Sequence, residues 1–379
     1  MPNSLYVHIP FCLKRCVYCD FVSGIYSPDI ESSYIAALKK EILNINQEIT
    51  MSTLYIGGGT PSVLSSDVLT DLVIEIFNNF EFREYFEATI EVNPGTLSSE
   101  KIQAVRPFGI NRVSIGVQSF DDSVLKSLGR IHTAGDSAQA VSIAGNAGFK
   151  NISVDLLYGV PGQSLASWEE TLKKTVELKP QHVSTYELTV EEGTLLYDRI
   201  KAGKLRRPEE ERIVEMYDYA VDYLSSQGYV HYEICNFALP GFSCKHNLNY
   251  WDSGEYFGAG LGAHSFVDNK RFYNTDDINK YISALSDNES TVVKTEEITK
   301  DKAVSEAFYL GLRKTDGINL SKISAVFDMD IFDRYKKEIE ETLDAGLIER
   351  YSSATSKDDY LRLTRKGLLL SNEVFLKFV

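Results

Sequence analysis

The sequence predicts an α/β protein, with a partial (β/α)6 barrel of the TIM type and then a smaller, α-rich C-terminal domain that resembles a winged helix. Six β-rich runs alternate with helix-length amphipathic stretches over the first 190 residues, at a period of roughly 30–40 residues. After about residue 235 this pattern breaks down. Because strand and helix alternate with crossovers of this length, we expect a parallel sheet.

The predicted strands alternate with helices in chain order. The helices include DIESSYIAALKKEILNINQ and SLASWEETLKKTVELK, the second of which opens with a serine cap and carries apolar residues at helical spacing. In a parallel barrel the functional residues lie at the carboxyl ends of the strands. That rule places a cysteine loop, GGGTP, Glu91, Gln118 and YGVPG on one rim. The predicted strands are LYVHI, TLYIGGG, ATIEVNP, RVSIGVQSF, ISVDLLYGVPG and HVSTYELTV.

Three regions are expected along the chain. Residues 1–235 form the barrel, and residues 236–295 form an aromatic, glycine-rich segment with too many turn signals for regular strand–helix units. Residues 296–379 form the winged-helix-like domain, in which FDRYKKEIEETLDAGLIER leads into DDYLRLTRKGLLLSNEVF. The charge of this last domain is nearly balanced, which favours a structural or partner-docking role over nucleic-acid binding.

The composition excludes several classes of protein. Apolar residues make up 43% of the 379 residues, enough for a sizeable core. The net charge of −15 argues against a surface built to bind nucleic acid or anionic lipid. The beginning of the chain lacks the pattern of a signal peptide, and no apolar stretch is long enough to span a membrane. We therefore expect a cytoplasmic protein.

Three cysteines, Cys12, Cys16 and Cys19, lie in the short loop HIPFCLKRCVYCDF after the first predicted strand. Five cysteines in the chain make a poor disulfide framework, so metal chemistry in a reducing compartment is the better interpretation. Three thiolates can hold three corners of a [4Fe–4S] cube and leave the fourth iron open to a small molecule. The alternative is a zinc site completed by His8 or Asp20, although structural zinc usually uses two separated ligand pairs.

The motifs resemble those of a known family. CLKRCVYC resembles the cluster loop of radical S-adenosylmethionine (SAM) enzymes, in which the methionine part of SAM chelates the open iron of a [4Fe–4S] cluster and is reductively cleaved to a 5′-deoxyadenosyl radical. YVHIPFC, GGGTPS, EVNPGTL, RVSIGVQSFDD, LGRIH and SVDLLYGVPGQ resemble the coproporphyrinogen dehydrogenase-like (HemN-like) branch across almost the whole chain. CKHNLNYW and GAGLGAHSF are similar to its haem-chaperone members.

The resemblance implies roles for individual residues. Cys12, Cys16 and Cys19 would ligate the cluster, and Tyr18 would shield it or stack on a ligand. Glycines at the end of a barrel strand allow a close backbone approach, which suits contact with the SAM amino group. Each polar residue could instead be a cap, an ion-pair partner or a buried amide. The residues implied for the first SAM site are Tyr6, Gly58, Gly59, Thr60 and Glu91, and those implied for SAM or a second SAM are Gln118, Arg130 and Asp155.

A haem site needs an axial donor to iron in an aromatic, apolar cleft. The family comparison singles out His246, the histidine of H-N-x-x-Y-W, with Tyr250 and Trp251 beside it. Cys244 and His264 are further candidates. On its own, each of the three donors would more often be an ordinary core residue, because free donors to iron are rare.

Two departures from the dehydrogenase pattern bear on function. Phe21 stands where that enzyme has a fourth cysteine, and only eleven residues precede Cys12. The resemblance therefore implies a haem chaperone that binds a SAM-ligated cluster and delivers haem to acceptor proteins such as respiratory-chain enzymes. It also leaves open a flavodoxin- or ferredoxin-type electron donor, a homodimer and whether SAM is cleaved. The alternatives are an oxygen-independent coproporphyrinogen III dehydrogenase and a radical SAM enzyme that modifies nucleic acid.

Overall fold

The computed structural model describes residues 2–45, 49–352 and 358–379. Most of its strands belong to one large sheet. The strands are β1 (Ser4–Ile9), β2 (Phe11–Cys12), β3 (Gly24–Ile25), β4 (Thr50–Gly58), β5 (Glu81–Val92), β6 (Arg112–Gln118), β7 (Ile152–Tyr158), β8 (His182–Glu187), β9 (Val230–Glu233), β10 (Asn236–Ala238), β11 (Phe257–Ala259), β12 (His264–Val267), β13 (Lys270–Asn274), β14 (Val292–Glu297), β15 (Ile318–Asn319), β16 (Ile348–Ser352) and β17 (Asp359–Leu363).

The helices mostly follow the strands, as expected of strand–helix units. They are α1 (Pro28–Asn44), α2 (Ser66–Asn79), α3 (Ser99–Val105), α4 (Asp122–Ser127), α5 (Ala134–Asn146), α6 (Leu165–Glu177), α7 (Leu195–Lys201), α8 (Glu210–Ser226), α9 (Lys245–Trp251), α10 (Ile278–Ser286), α11 (Lys300–Gly311), α12 (Leu320–Phe327), α13 (Ile331–Arg334), α14 (Lys336–Asp344), α15 (Arg365–Leu369) and α16 (Ser371–Phe375).

The barrel is built from six neighbouring parallel strands in the order β1-β4-β5-β6-β7-β8. Each of them overlaps one of the six runs predicted from the sequence, and the predicted α/β fold class is confirmed. Side chains alternate across each strand. In β4, Leu54 and Ile56 are buried in the apolar core, whereas Thr53 and Tyr55 make polar and ring contacts inside the barrel.

The segment 236–295 contributes to the same sheet. Its β11 pairs in parallel with β1 at one edge, and its β10 pairs antiparallel with β8 at the other, followed by β9. The expected boundary at residue 235 therefore falls between two strands that pair with each other. The aromatic, glycine-rich segment completes the barrel sheet, and it also supplies α9.

The C-terminal part has its own small sheet, in the order β15-β17-β16, with helices α11 to α16 around it. Phe308, Leu361 and Phe378 are buried in its apolar core. Arg365 forms ion pairs with Asp218 and Asp222 of α8, which hold this part against the barrel. The helix, hairpin and closing helix match the winged-helix-like arrangement predicted for the tail.

In the part of the chain that the structure describes, no helix is both long enough and apolar enough to cross a membrane.

Candidate functional site

A cavity of about 540 Å³ opens at the carboxyl ends of the barrel strands. Parallel strands bring their carboxyl ends to one rim, so the loops that follow them share this space. Among the residues predicted for the cluster and SAM, only Tyr6 lies outside the cavity wall. Those that line it are Cys12, Cys16, Tyr18, Cys19, Gly58, Gly59, Thr60, Glu91, Gln118, Arg130 and Asp155.

The cysteine loop is closed at its base. The two-residue strands β2 and β3 pair with each other, and the backbone N–H of Tyr26 donates to Cys12 O at 2.9 Å. Further along, the N–H of Val17 donates to Leu128 O, and its carbonyl accepts from the N–H of Leu196. The loop is therefore fixed to the barrel at its base and at its middle, which holds its three thiols at the cavity.

The donor set in this loop fits an iron–sulfur cluster. Cys12, Cys16 and Cys19 are free thiols of intermediate burial, and Cys12 Sγ lies 3.5 Å from Thr60 Oγ1. Arg130 Nη1 donates to Cys16 Sγ at 3.5 Å, which places a positive charge beside a thiolate ligand. Burial raises the pKa of Cys12 and Cys19, so metal binding has to drive their deprotonation.

Of the two residues that could complete a zinc site, Asp20 lines the cavity with the three cysteines, and His8 would have to release a hydrogen bond to bind the metal. Its Nδ1 lies 3.0 Å from the Tyr6 hydroxyl and its Nε2 lies 2.7 Å from Val22 O, so both ring nitrogens are occupied. A single zinc ion also draws its ligands closer together than a cube of four irons does.

The glycines of GGGTP are needed for packing of the cysteine loop. A Cβ on Gly59 would lie 2.8 Å from the carbonyl oxygen of Phe11, and one on Gly58 would lie 2.7 Å from the His8 ring. Gly58 also has a φ of +114°, which side chains disfavour. The sequence predicted that these glycines would let SAM approach the backbone closely. In the structure, the protein's own cysteine loop makes this close approach, at the edge of the cavity.

Two half-buried carboxyl groups give the cavity an acidic floor. Glu91 Oε1 accepts from the Tyr55 hydroxyl at 2.7 Å, and its Oε2 accepts from the N–H of Gly58 at 3.3 Å. Asp155 accepts from the Ser114 hydroxyl at 2.9 Å. Burial raises the pKa of both groups, that of Glu91 to about 7, with repulsion from Asp155 adding to the shift. Such a floor suits a ligand that carries positive charge, such as a sulfonium or an ammonium group.

Gln118 and Arg130 form the neighbouring wall. Gln118 has a φ of +67°, an uncommon conformation for a residue other than glycine and a feature of functional sites. Arg130 Nη2 donates to Gly116 O at 2.7 Å, whereas its Nε is buried without a hydrogen-bond partner. The positive charge of a guanidinium that lines the cavity suits the carboxylate of a ligand.

Tyr6, expected in the same site, lies one layer deeper in the barrel. Its hydroxyl pairs with His8, and its ring packs on the Tyr55 ring with centroids 6.3 Å apart. Tyr6 pairs in register with Tyr55, which lies beside Glu91 and lines the cavity. Sequence reasoning missed Tyr55, although strand alternation places it on the same face as Thr53 and Gly57.

His246 lies at the opposite end of the barrel from the cysteine loop. Helix α9 packs beside β4, and the imidazole has 1% of its surface exposed. Its Nδ1 lies 2.8 Å from Thr53 Oγ1 and its Nε2 lies 2.8 Å from the Tyr250 hydroxyl. Burial lowers its pKa to about 3, so the ring is neutral, as a metal ligand must be. For the ring to ligate iron, one of these hydrogen bonds has to break.

The other two candidate haem ligands differ in exposure. Cys244 is fully buried, and its thiol donates to Glu87 Oε1 at 3.4 Å. Burial raises the pKa of this thiol to about 12. His264 is exposed, and its ring stacks on Tyr273 with centroids 4.8 Å apart. Trp251 packs under Arg313, at 4.4 Å, and so connects α9 to the C-terminal part.

Comparison with known proteins gives consistent matches along the chain. Residues 6–175 match the radical SAM superfamily, and residues 298–370 match the HemN C-terminal domain. The heme chaperone HemW of Lactococcus lactis is 38% identical over 100% of this chain and 97% of its own length. The heme chaperone HemW of Bacillus subtilis is 35% identical over 100% of this chain and 99% of its own length.

Among solved structures, coproporphyrinogen III oxidase (HemN) from Escherichia coli, a radical SAM enzyme, has a similar fold. The TM-score is 0.86 over 100% of this chain and 90% of that one, with 24% sequence identity. At 24% identity this structural similarity shows a shared fold, and it says nothing about a shared activity.

Proposed function

The chain belongs to the radical SAM superfamily and, within it, to the family of the heme chaperone HemW, and from that premise we propose that it binds haem and delivers it to haem-requiring proteins. The observation that carries the proposal is the 38% identity to a HemW protein over 100% of this chain and 97% of the relative. The similarity includes the segment with CKHNLNYW, which the sequence singled out for haem.

We also propose that Cys12, Cys16 and Cys19 hold a [4Fe–4S] cluster and that SAM binds beside it. When bound, the cluster and SAM supply one-electron chemistry. Support comes from the acidic floor of Glu91 and Asp155 for the positively charged part of SAM, and from the Arg130 guanidinium at the cavity wall for its carboxylate. Gly58, Gly59, Thr60 and Gln118 would line the same ligand. Tyr18 would cover the cluster, since it borders the cavity between Cys16 and Cys19.

Coproporphyrinogen III oxidation is the weaker candidate. The likeness to HemN concerns the fold, and its sequence identity of 24% is well below that of the HemW relatives. In addition, Phe21 stands where the dehydrogenase pattern has a fourth cysteine, and its side chain is 64% exposed beside the cysteine loop.

His246 is the axial haem ligand that we propose. Support comes from its motif and from its neutral state, which leaves a nitrogen lone pair available once a hydrogen bond is released. The exposed His264 is the second candidate, because it needs no such release. Cys244 ranks third, since its buried thiol resists ionisation.

The remaining expectations concern partners and location. We propose that the acceptors are haem-requiring enzymes such as those of respiratory chains, that a flavodoxin or ferredoxin reduces the cluster, and that the protein works in the cytoplasm. We also propose a functional division into a barrel (residues 1–235), a haem-binding segment (236–295) and a C-terminal domain (296–379). The haem-binding segment contributes strands to the barrel sheet.

Transfer of haem tests the proposed function. The reconstituted protein is loaded with one equivalent of ferric haem and mixed with the apo form of a haem enzyme. We expect recovery of enzyme activity to exceed that obtained from the same amount of haem on serum albumin. Recovery no better than the albumin control would contradict delivery.

A further inference from the structure

A chain of hydrogen-bonded side chains runs from the cavity beside the cysteine loop through the interior of the barrel. It begins at Asp155, which lines that cavity, and continues through Ser153 and His182 to Tyr232. The last three side chains are buried. Sequence reasoning gave none of these three residues a role.

Pairing between neighbouring strands builds this chain. Ser153 and Asp155 flank the core residue Val154 in β7, so both lie on the same face of the strand. Ser153 pairs in register with His182 of β8. Tyr232 reaches His182 from β9, the edge strand of the large sheet. The sheet therefore brings together four polar side chains that are distant in the sequence.

The direction of each hydrogen bond follows from the two ends of the chain. The backbone N–H of Cys244 can only donate, and it donates to the Tyr232 hydroxyl oxygen at 3.2 Å. A carboxylate can only accept, so the Ser153 hydroxyl donates to Asp155 Oδ1 at 3.3 Å. The His182 ring is neutral, because burial lowers its pKa well below the usual value. Its Nδ1–H therefore donates to Ser153 Oγ, and its Nε2 accepts from the Tyr232 hydroxyl, each at 2.8 Å.

This arrangement supports the charged form of Asp155. Ser114 donates to the other carboxylate oxygen at 2.9 Å, so each oxygen accepts a hydrogen bond. Such bonds favour ionisation and fix the orientation of the group, whereas burial raises its pKa. If His182 carried its proton on Nε2 instead, Ser153 would donate to Nδ1, and Asp155 would lose one of its two donors.

We infer that His182 and Tyr232 are positioning residues of the SAM site, because they orient the Ser153 hydroxyl toward Asp155. The inference rests on the proposed binding of SAM at the acidic floor. Neither His182 nor Tyr232 lines the cavity, so both act through Ser153 and Asp155 and not by contact with the ligand. The tautomer of a buried histidine thereby contributes to the affinity for a ligand that carries positive charge.

The test is a calorimetric titration of SAM into the anaerobically reconstituted protein, with the cluster oxidised so that SAM is bound and not reductively cleaved. Tyr232→Phe removes the hydroxyl that fixes the tautomer, and we expect it to weaken SAM binding by about threefold to tenfold. Tyr229→Phe is the matched control, because Tyr229 is similarly buried and its hydroxyl donates to Pro180 O, outside the chain. It should stay within twofold of the wild type.

Two changes at His182 separate positioning from packing. His182→Asn places an amide N–H near the position of Nδ1 and keeps the donor to Ser153, whereas His182→Gln places its amide near Nε2 and loses that donor. We expect His182→Asn to bind SAM within about threefold of the wild type and His182→Gln to bind it at least about tenfold more weakly. Iron content and the free energy of unfolding show whether each variant keeps its cluster and its fold.

If Tyr232→Phe binds SAM as the wild type does, or if His182→Asn and His182→Gln bind it equally, the positioning role is overturned while the proposed function stands. If the wild type binds no SAM at all, the proposed SAM site fails, and the inference fails with it.

Discussion

The rings of Tyr55 and His246 stack on each other inside the barrel, with centroids 5.2 Å apart and planes inclined by 29°. The hydroxyl of the same tyrosine donates to Glu91 in the cavity at the other end. One side chain therefore separates the proposed haem ligand from the carboxylate that we propose for SAM. Because Tyr55 contacts both His246 and Glu91, a variant made to test haem binding also has to be tested for SAM binding, and the reverse.

His246→Ala should lose most haem affinity, with a weakened or shifted Soret band, because it removes the imidazole donor. It should retain its irons and its response to SAM, because its imidazole contacts Thr53, Tyr55 and Tyr250, in the layer below the cysteine loop. The measurements are a haem titration and an iron determination on the same preparation. His264→Ala is the matched control, and it should bind haem as the wild type does.

Loss of the buried ring is also expected to destabilise the fold, by about 2–4 kcal/mol. His246→Gln, which keeps a polar side chain between Thr53 and Tyr250, separates this effect from ligand loss. If His246→Ala binds haem with unchanged affinity and spectrum, His264 or Cys244 becomes the leading candidate for the axial ligand.

Replacing Cys12, Cys16 or Cys19 by alanine should abolish the cluster, because three thiolates are the minimum that hold a cube with one open iron. The reconstituted wild type should contain about four irons per chain. Cys235→Ala should keep them, since this cysteine lies after β9, far along the chain from the loop. Tightly bound zinc without iron–sulfur absorption in the wild type would contradict the assignment.

Gly59→Ala should block the effect of SAM on the electron paramagnetic resonance spectrum of the reduced cluster. Its Cβ would lie 2.8 Å from the backbone oxygen of Phe11, so the end of β4 and the cysteine loop have to separate. Gly24→Ala is the control in the same loop, because a Cβ there meets nothing within 4 Å. An unchanged SAM response in Gly59→Ala would show that this close contact does not shape the site.

Glu91→Gln should change the pH dependence of stability. Because burial raises the folded-state pKa of Glu91 to about 7, the folded state binds this proton more tightly than the unfolded chain does. The stability that it contributes is complete below about pH 4.5 and declines as pH rises to about 7. A glutamine side chain does not titrate in this range, so the variant does not lose this contribution to stability as the pH rises.

Relative to the wild type, Glu91→Gln is therefore expected to gain on the order of 3 kcal/mol of unfolding free energy between pH 5 and pH 8 in the protein without cluster or SAM. Chemical denaturation at several pH values measures the difference. A difference that stays constant across this range would mean that the pKa of Glu91 is not raised.

The rim of the barrel could be predicted from the sequence because the rule that governs it is local. Glu91 and Gln118 come at the ends of β-rich runs, and parallel strands bring these ends together. Asp155 lies in the middle of β7, and only the family resemblance pointed to it. The layer below the rim depends on the register between strands that are distant in the chain. Tyr6 and Tyr55 pair across β1 and β4, and no local pattern shows that Tyr55 lines the cavity while Tyr6 does not.

The environment of His246 could not be predicted for a related reason. Its Nδ1 partner, Thr53, lies 193 positions earlier in the chain. The strands β10 and β11, which draw this segment into the barrel sheet, have three residues each and leave little periodic signal. The motif indicated a special histidine, and only the folded structure reveals that both of its nitrogens are engaged.

The most direct test of the account offers haem and coproporphyrinogen III to one anaerobically reconstituted sample with SAM and a reductant. We expect about one haem bound per chain by Soret titration and no decarboxylated porphyrinogen among the products. Absence of haem binding together with conversion of coproporphyrinogen III and consumption of SAM would contradict the chaperone function and replace it with the dehydrogenase activity.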